Sequence, residues 1–227
     1  MKQVIIIIMF ISTLVYSQQF KVDKIRGEVL VQRGTHEEFS PLKKGDLLSD
    51  NDLIITESNS FIQLDKDGSK FILDENSALG LSYLKKITIN ELLLALAMEE
   101  IRNVKPSNNN ELSKNTAVYG EEANIDKTVE IKINSLGVKK INGAKQLAKN
   151  GYKESAIIAA KETYRKYPHV SKIVEDRIYF ADLLLSLELN NEALEEFSTI
   201  SMLELTQKQK NYVDTKVEKI KLSLISE

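Results

Sequence analysis

At 227 residues, 42% of them apolar and 28% charged, the chain has room for one large domain or two small ones and enough apolar mass to bury a core. Its formal net charge of −2 lacks the strong imbalance that would draw it to nucleic acid or anionic lipid. With no cysteine, disulfides, thiolate metal sites and a cysteine nucleophile are excluded, and stability must come from packing.

The first residues read as an address. Lys2 gives a short positive region, an apolar run over residues 4–15 is broken only by Ser12 and Thr13, and Val15 and Ser17 stand at −3 and −1 of a small-residue cleavage site. The run is shorter than the ~20 residues a spanning helix needs. A signal peptide over residues 1–17, cleaved after Ser17, is expected, leaving a periplasmic or otherwise secreted chain with no stable membrane span. Gln18 follows, where a lipid anchor would need cysteine.

Residues 18–86 carry a β pattern. Over 25–31, Ile25, Val29 and Val31 fall on one face of an alternating strand, with Arg26, Glu28 and Leu30 on the other. Short apolar pieces at Leu47-Leu48 and residues 53–56 are bounded by Gly, Asp and Asn. Asp67-Gly68 lies between the apolar runs at residues 61–64 and 71–73 and predicts a hairpin whose glycine has positive φ. Leu79, Leu81 and Tyr83 alternate in a last strand.

Thr88-Ile89-Asn90-Glu91 matches a capping box and opens a docked amphipathic helix over residues 87–103, with Leu92, Leu93, Leu96, Ala97 and Met98 inward. Residues 104–125, with Pro106-Ser107-Asn108-Asn109-Asn110, read as a polar linker between halves that fold separately. Residues 126–227 have helical period. Leu136, Ile141, Ala144 and Leu147 share a face before the Asn150-Gly151 turn, and Ala156, Ala159, Ala160 and Tyr164 share one before Tyr167-Pro168. Three more helices are expected, around residues 173–187, 193–200 and 213–224.

Residues 25–82 resemble the FecR-like domain found in the periplasmic part of iron-dicitrate-type transmembrane sensors. The resemblance rests on the ordered series Gly27, Val29, Val31, Arg33 and Gly34, then Leu42, Gly45-Asp46, Asn51-Asp52 with the stretch to Thr56, Asp67-Gly68-Ser69, and Ser77, Leu79 and Leu81. Asn51 stands where glycine is commoner. Such sensors carry a cytoplasmic segment that binds a sigma factor, then a membrane span. Here a signal peptide precedes the module instead, so anti-sigma activity is not carried over. The helical residues resemble tetratricopeptide (TPR) repeats. Gly151, Ala156 and Pro168 fit the turn glycine, packed alanine and closing proline of one unit, and Ala193 and Phe197 fit the next. Ala160 replaces the usual aromatic of the first unit. The resemblances imply an α+β chain of separate domains: a small all-β FecR-like module, then an all-α TPR-like helical repeat domain.

No catalytic constellation stands out. Counting from Asp65, an EF-hand loop would need glycine at Lys70 and a carboxylate at Asn76. His36 and His169 lack metal-ligand spacing and a neighbouring nucleophile motif. Charge is segregated instead. Residues 126–172 hold 11 basic and 4 acidic side chains, whereas residues 173–205 hold 1 basic and 8 acidic, so adjacent repeats should attract or offer opposite faces.

These readings describe an exported, non-enzymatic binding, scaffold or sensor protein of the cell envelope, with no cofactor or metal. Its expected partner is an envelope protein or polymer and not nucleic acid, and it is compatible with homo-oligomers. The concave face of a TPR array, built mainly from the first helix of each pair, makes Lys140, Lys145, Arg177 and Tyr179 the candidate protein-binding residues. The alternative is a periplasmic receiver in transporter-linked signalling, acting with a separate membrane or anti-sigma partner.

Overall fold

The computed structural model describes residues 19–36, 38–103 and 127–226, so the signal segment and the linker lie outside the described residues. Eight strands come first: β1 (Gln19–Arg26), β2 (Val29–Gln32), β3 (Phe39–Pro41), β4 (Leu47–Ser49), β5 (Leu53–Thr56), β6 (Phe61–Lys66), β7 (Ser69–Leu73) and β8 (Ser77–Gly80). They form two four-stranded sheets, β4-β1-β6-β7 and β3-β2-β5-β8, in which every pairing is antiparallel. Phe20, Val22, Ile62 and Leu64 from the first sheet meet Val29, Val31, Ile54 and Leu79 from the second in one core.

The alternating stretch over residues 25–31 is two strands, not one. At Gly27, with φ +75°, the chain crosses from the first sheet to the second. A Cβ there would lie 2.3 Å from Ser60 Oγ, and the Glu28 N–H donates to that same oxygen at 2.8 Å. A register shift between Val22 and Lys24 resets the parity of β1, so Ile25 packs against the core from which simple alternation would have turned it away. The Asp67-Gly68 hairpin is as expected. Both residues have positive φ, +53° and +81°, as a type I′ turn requires, and the Asp65 carboxylate accepts the Gly68 N–H at 3.0 Å. The last strand ends at Gly80, earlier than its alternation suggests. The Leu81 N–H donates to Asp52 O at 2.9 Å, and residues Leu81–Tyr83 continue as a 3₁₀ turn.

The loops of the module are tied by Asp52, which is buried. Its carboxylate accepts from Arg33 Nη1 and the Gly34 N–H at 3.1 Å each, and from the Ser49 N–H and hydroxyl at 3.0 Å each. The Arg33-Gly34 and Asn51-Asp52 pieces of the sequence series therefore meet in space.

Six α-helices follow among the described residues: α1 (Ile89–Asn103), α2 (Lys127–Lys149), α3 (Lys153–Lys166), α4 (Val174–Leu185), α5 (Asn190–Ile200) and α6 (Gln207–Ser226). The capping box of α1 forms as read. The Thr88 N–H donates to Glu91 Oε2 at 2.7 Å, and the Glu91 N–H returns to Thr88 Oγ1 at 3.2 Å. Its inward arc is narrower than expected. Leu92 and Leu96 are buried, but Ala97 and Met98 face solvent and Glu99 takes the next inward place. The helix packs on α3, and Glu99 is held there by Arg165 at 2.9 Å and by Arg102 at 2.8 Å.

The remaining helices stack as hairpins, α2 with α3 and α4 with α5, and α6 then packs on α5. Gly151, at φ +86°, makes the first hairpin turn. Ala156, Ala193 and Phe197 are all fully buried. A second capping box opens α6, where Thr206 and Gln209 exchange backbone and side-chain bonds at 2.8 and 3.3 Å.

The β and α parts are separate in sequence and in secondary structure, but they are not independent in packing. One apolar cluster runs from the sandwich through Ile141, Ala144 and Leu147 of α2 to Ala156 and Ala160 of α3. The closest approach is at Gly143, where a Cβ would lie 2.0 Å from the carbonyl oxygen of Ala78 in β8. Polar links flank this seam. Asn142 Nδ2 donates to Asn76 O at 2.8 Å, Ser155 Oγ to Lys85 O at 2.6 Å, Lys139 pairs with Glu57, and Tyr83 bonds Glu162. The expectation that each half has its own closed apolar set gives way to a shared core.

Candidate functional site

The four residues singled out from the sequence do not converge on one surface. Lys145 of α2 forms an ion pair with buried Asp176 of α4, and its ammonium lies 5.9 Å from the ring centre of Tyr179. Tyr179 also stacks edge-on against Phe180, and burial raises its hydroxyl pKa. These two residues make one small patch where α2 meets α4. Arg177, expected to be exposed on the array, is buried. Its guanidinium pairs with Glu196 of α5, and Nη1 donates to Ser171 O at 3.3 Å. Lys140 faces the sandwich instead. It lines a cavity of about 20 Å³ with Tyr83, Glu162 and Lys166. Burial, then the neighbouring charge of Lys166, lowers its pKa, with Glu162 opposing.

Charge segregation along the sequence becomes ionic stitching between hairpins. The basic first hairpin reaches the acidic second through Lys145–Asp176 and Lys161–Glu196, and α6 joins α4 through Lys216–Asp182 at 2.7 Å. Glu196 is the hub. Burial alone would raise its pKa, but the charges of Lys161 and Arg177 and their hydrogen bonds hold it below the usual carboxylate range.

Glu196 and its partners Lys161 and Arg177 lie in the walls of a cleft of about 300 Å³ between α1 and α5. α3 contributes Lys161, Tyr164 and Arg165, while Leu96 and Leu184 supply apolar walls. Tyr164 is buried under the Arg177 guanidinium, which sits 5.4 Å from its ring centre. Its hydroxyl has no hydrogen-bond partner among the described residues, and burial pushes its pKa well up. Glu99 and Glu196 are not singled out by the sequence, and Tyr164 reads there only as part of an apolar helix face. Glu99 has a local base in Arg102, three residues on, but that pair alone reads as a surface bridge, and the partner that marks the inward position, Arg165, comes from across the bundle. Among the described residues no His, Asp and Glu side chains group as a metal site would require, and no helix is long and apolar enough to cross a membrane.

Comparison with protein-family models, curated proteins and solved structures found no match to this chain.

Proposed function

We propose that this chain is an exported, non-enzymatic scaffold or sensor of the cell envelope, in which a FecR-like β module and TPR-like helical repeats hold separate partners. The observation that carries the reading is how the buried acids are used. Asp52, Glu99, Asp176 and Glu196 are the buried carboxylates among the described residues, and each is neutralised by a base: Arg33, Arg165, Lys145, and the pair Lys161 and Arg177. A proton-transfer group or nucleophile needs a reactive atom aimed at open space where a substrate can lie. Acids spent on bridges between elements fix architecture instead.

The repeat reading draws support from the buried small residues Ala156 and Ala193, the buried Phe197 and the Gly151 turn, all at the positions such units use. The β module would take an envelope protein or polymer, and the helices a protein.

Two measurements test this. The mass of envelope-fraction protein should correspond to a chain beginning at Gln18, and a full-length chain held in the inner membrane contradicts export. Photo-reactive residues placed in cells at the exposed positions Met202 and Lys208 should form covalent adducts with a protein partner. Adducts at β positions alone would remove the helices from the binding role.

A further inference from the structure

The cleft between α1 and α5 continues into a second hollow of about 410 Å³, lined by Leu93 of α1, Leu189, and Leu224 of α6, with Glu192 common to both. Together they make a groove along one side of α1, with leucines at intervals beneath it. Its acids fall into two groups. Glu99 and Glu196, in the walls, are spent on Arg165, Lys161 and Arg177. Glu100, Glu188, Glu192 and Glu195 stand on the rim, three exposed and Glu192 half-buried, and their carboxylates have no partner among the described residues.

We infer that this groove is a docking site for a basic, amphipathic peptide segment of a partner protein, whose apolar side chains lie over Leu93, Leu96 and Leu189 and whose lysines or arginines pair with the four rim carboxylates. The occupant follows from charge complementarity. The wall cations are already neutralised, so an acidic segment would meet four unpaired like charges, whereas a basic one meets four unspent acceptors. Leucines alone would accept any apolar surface, and the acids above them select its sign. Neither Lys145 nor Tyr179 lines this groove, so it is distinct from the patch where those two residues meet.

The inference rests on the helical part being protein-binding and names the face and the chemistry. It is tested on the mature chain with a labelled amphipathic peptide of leucine and lysine, and with its leucine–glutamate counterpart. Backbone amide NMR shifts on adding the lysine peptide should concentrate on α1 and α5 and be absent with the glutamate peptide. The Glu192→Gln/Glu195→Gln variant should bind about tenfold more weakly, and binding should weaken further with salt. The control variant Asp214→Asn/Glu218→Gln, on α6, should bind as the parent does. Equal losses in both variants reduce the effect to general charge attraction and overturn the site. Shifts confined to α2, α4 and α6 also overturn it, while leaving the protein-binding reading intact. Self-association of the chain in place of peptide binding would assign the groove to a second copy and overturn the stated occupant. If no helix responds, the groove proposal fails, and the photo-adducts at Met202 and Lys208 decide the wider reading separately.

Discussion

Replacing a glycine inside a helix by alanine ordinarily stabilises by about 1 kcal/mol, because glycine loses the most backbone freedom on folding. Gly143 sets that rule against sterics. A methyl group there would lie 2.0 Å from Ala78 O and 2.9 Å from Ala78 C, both backbone atoms that cannot swing aside. Opening the seam costs more than the propensity gain, so Gly143→Ala should lower stability by about 1–2 kcal/mol net, read as a fall in Tm. A rise in Tm would mean that α2 and β8 are not in contact there. Glu196 supplies a residue-scale prediction of another kind. Glu196→Gln leaves Arg177 and Lys161 without their counter-charge and should cost about 3 kcal/mol at neutral pH. The folded-state pKa of Glu196 lies below its ordinary value of 4.5, so its contribution is complete above that value and is lost as pH falls through the depressed one. The gap between parent and variant in urea denaturation should therefore be wide at neutral pH and close in strong acid. A gap independent of pH would assign the loss to packing and not to charge.

At the scale of elements, the helical hairpins depend on small residues where helices cross. Ala156 is fully buried, whereas Glu154, two positions earlier, is only half-buried. Ala156→Leu should overpack the crossing at a cost of about 1–3 kcal/mol, while Glu154→Lys should stay within about 0.5 kcal/mol. Equal melting curves would replace close-packed hairpins with a looser bundle. The elements legible in the sequence are those whose chemistry is local. The Asp67-Gly68 turn, the Thr88 capping box and the helix stop at Tyr167-Pro168 each need only neighbouring residues to form. Thr206-Gln207-Lys208-Gln209 carried the same capping signal and was equally readable. What the sequence left hidden is set by distant partners. Gly27 reads as one residue in an alternating strand until Ser60 crowds it, Glu99 reads as a solvent residue until Arg165 faces it, and Arg177 reads as surface charge until Glu196 buries beside it.

At the scale of the whole molecule, sequence pattern separates the β and α parts, yet contact joins them. A polar linker predicts two bodies, but nothing in the linker reports that Ile141 and Leu147 complete the sandwich core. The consequence for function is geometric. The groove on α1 and α5 and the β module are held in fixed relation by the α2–β8 seam, which under the proposed scaffold role would set the spacing between partners. Calorimetry of the mature chain tests this most directly. A shared core predicts a single transition with matching calorimetric and van't Hoff enthalpies, and Gly143→Ala should move that transition downward as a whole. Two transitions, of which Gly143→Ala moves neither or only one, would contradict it.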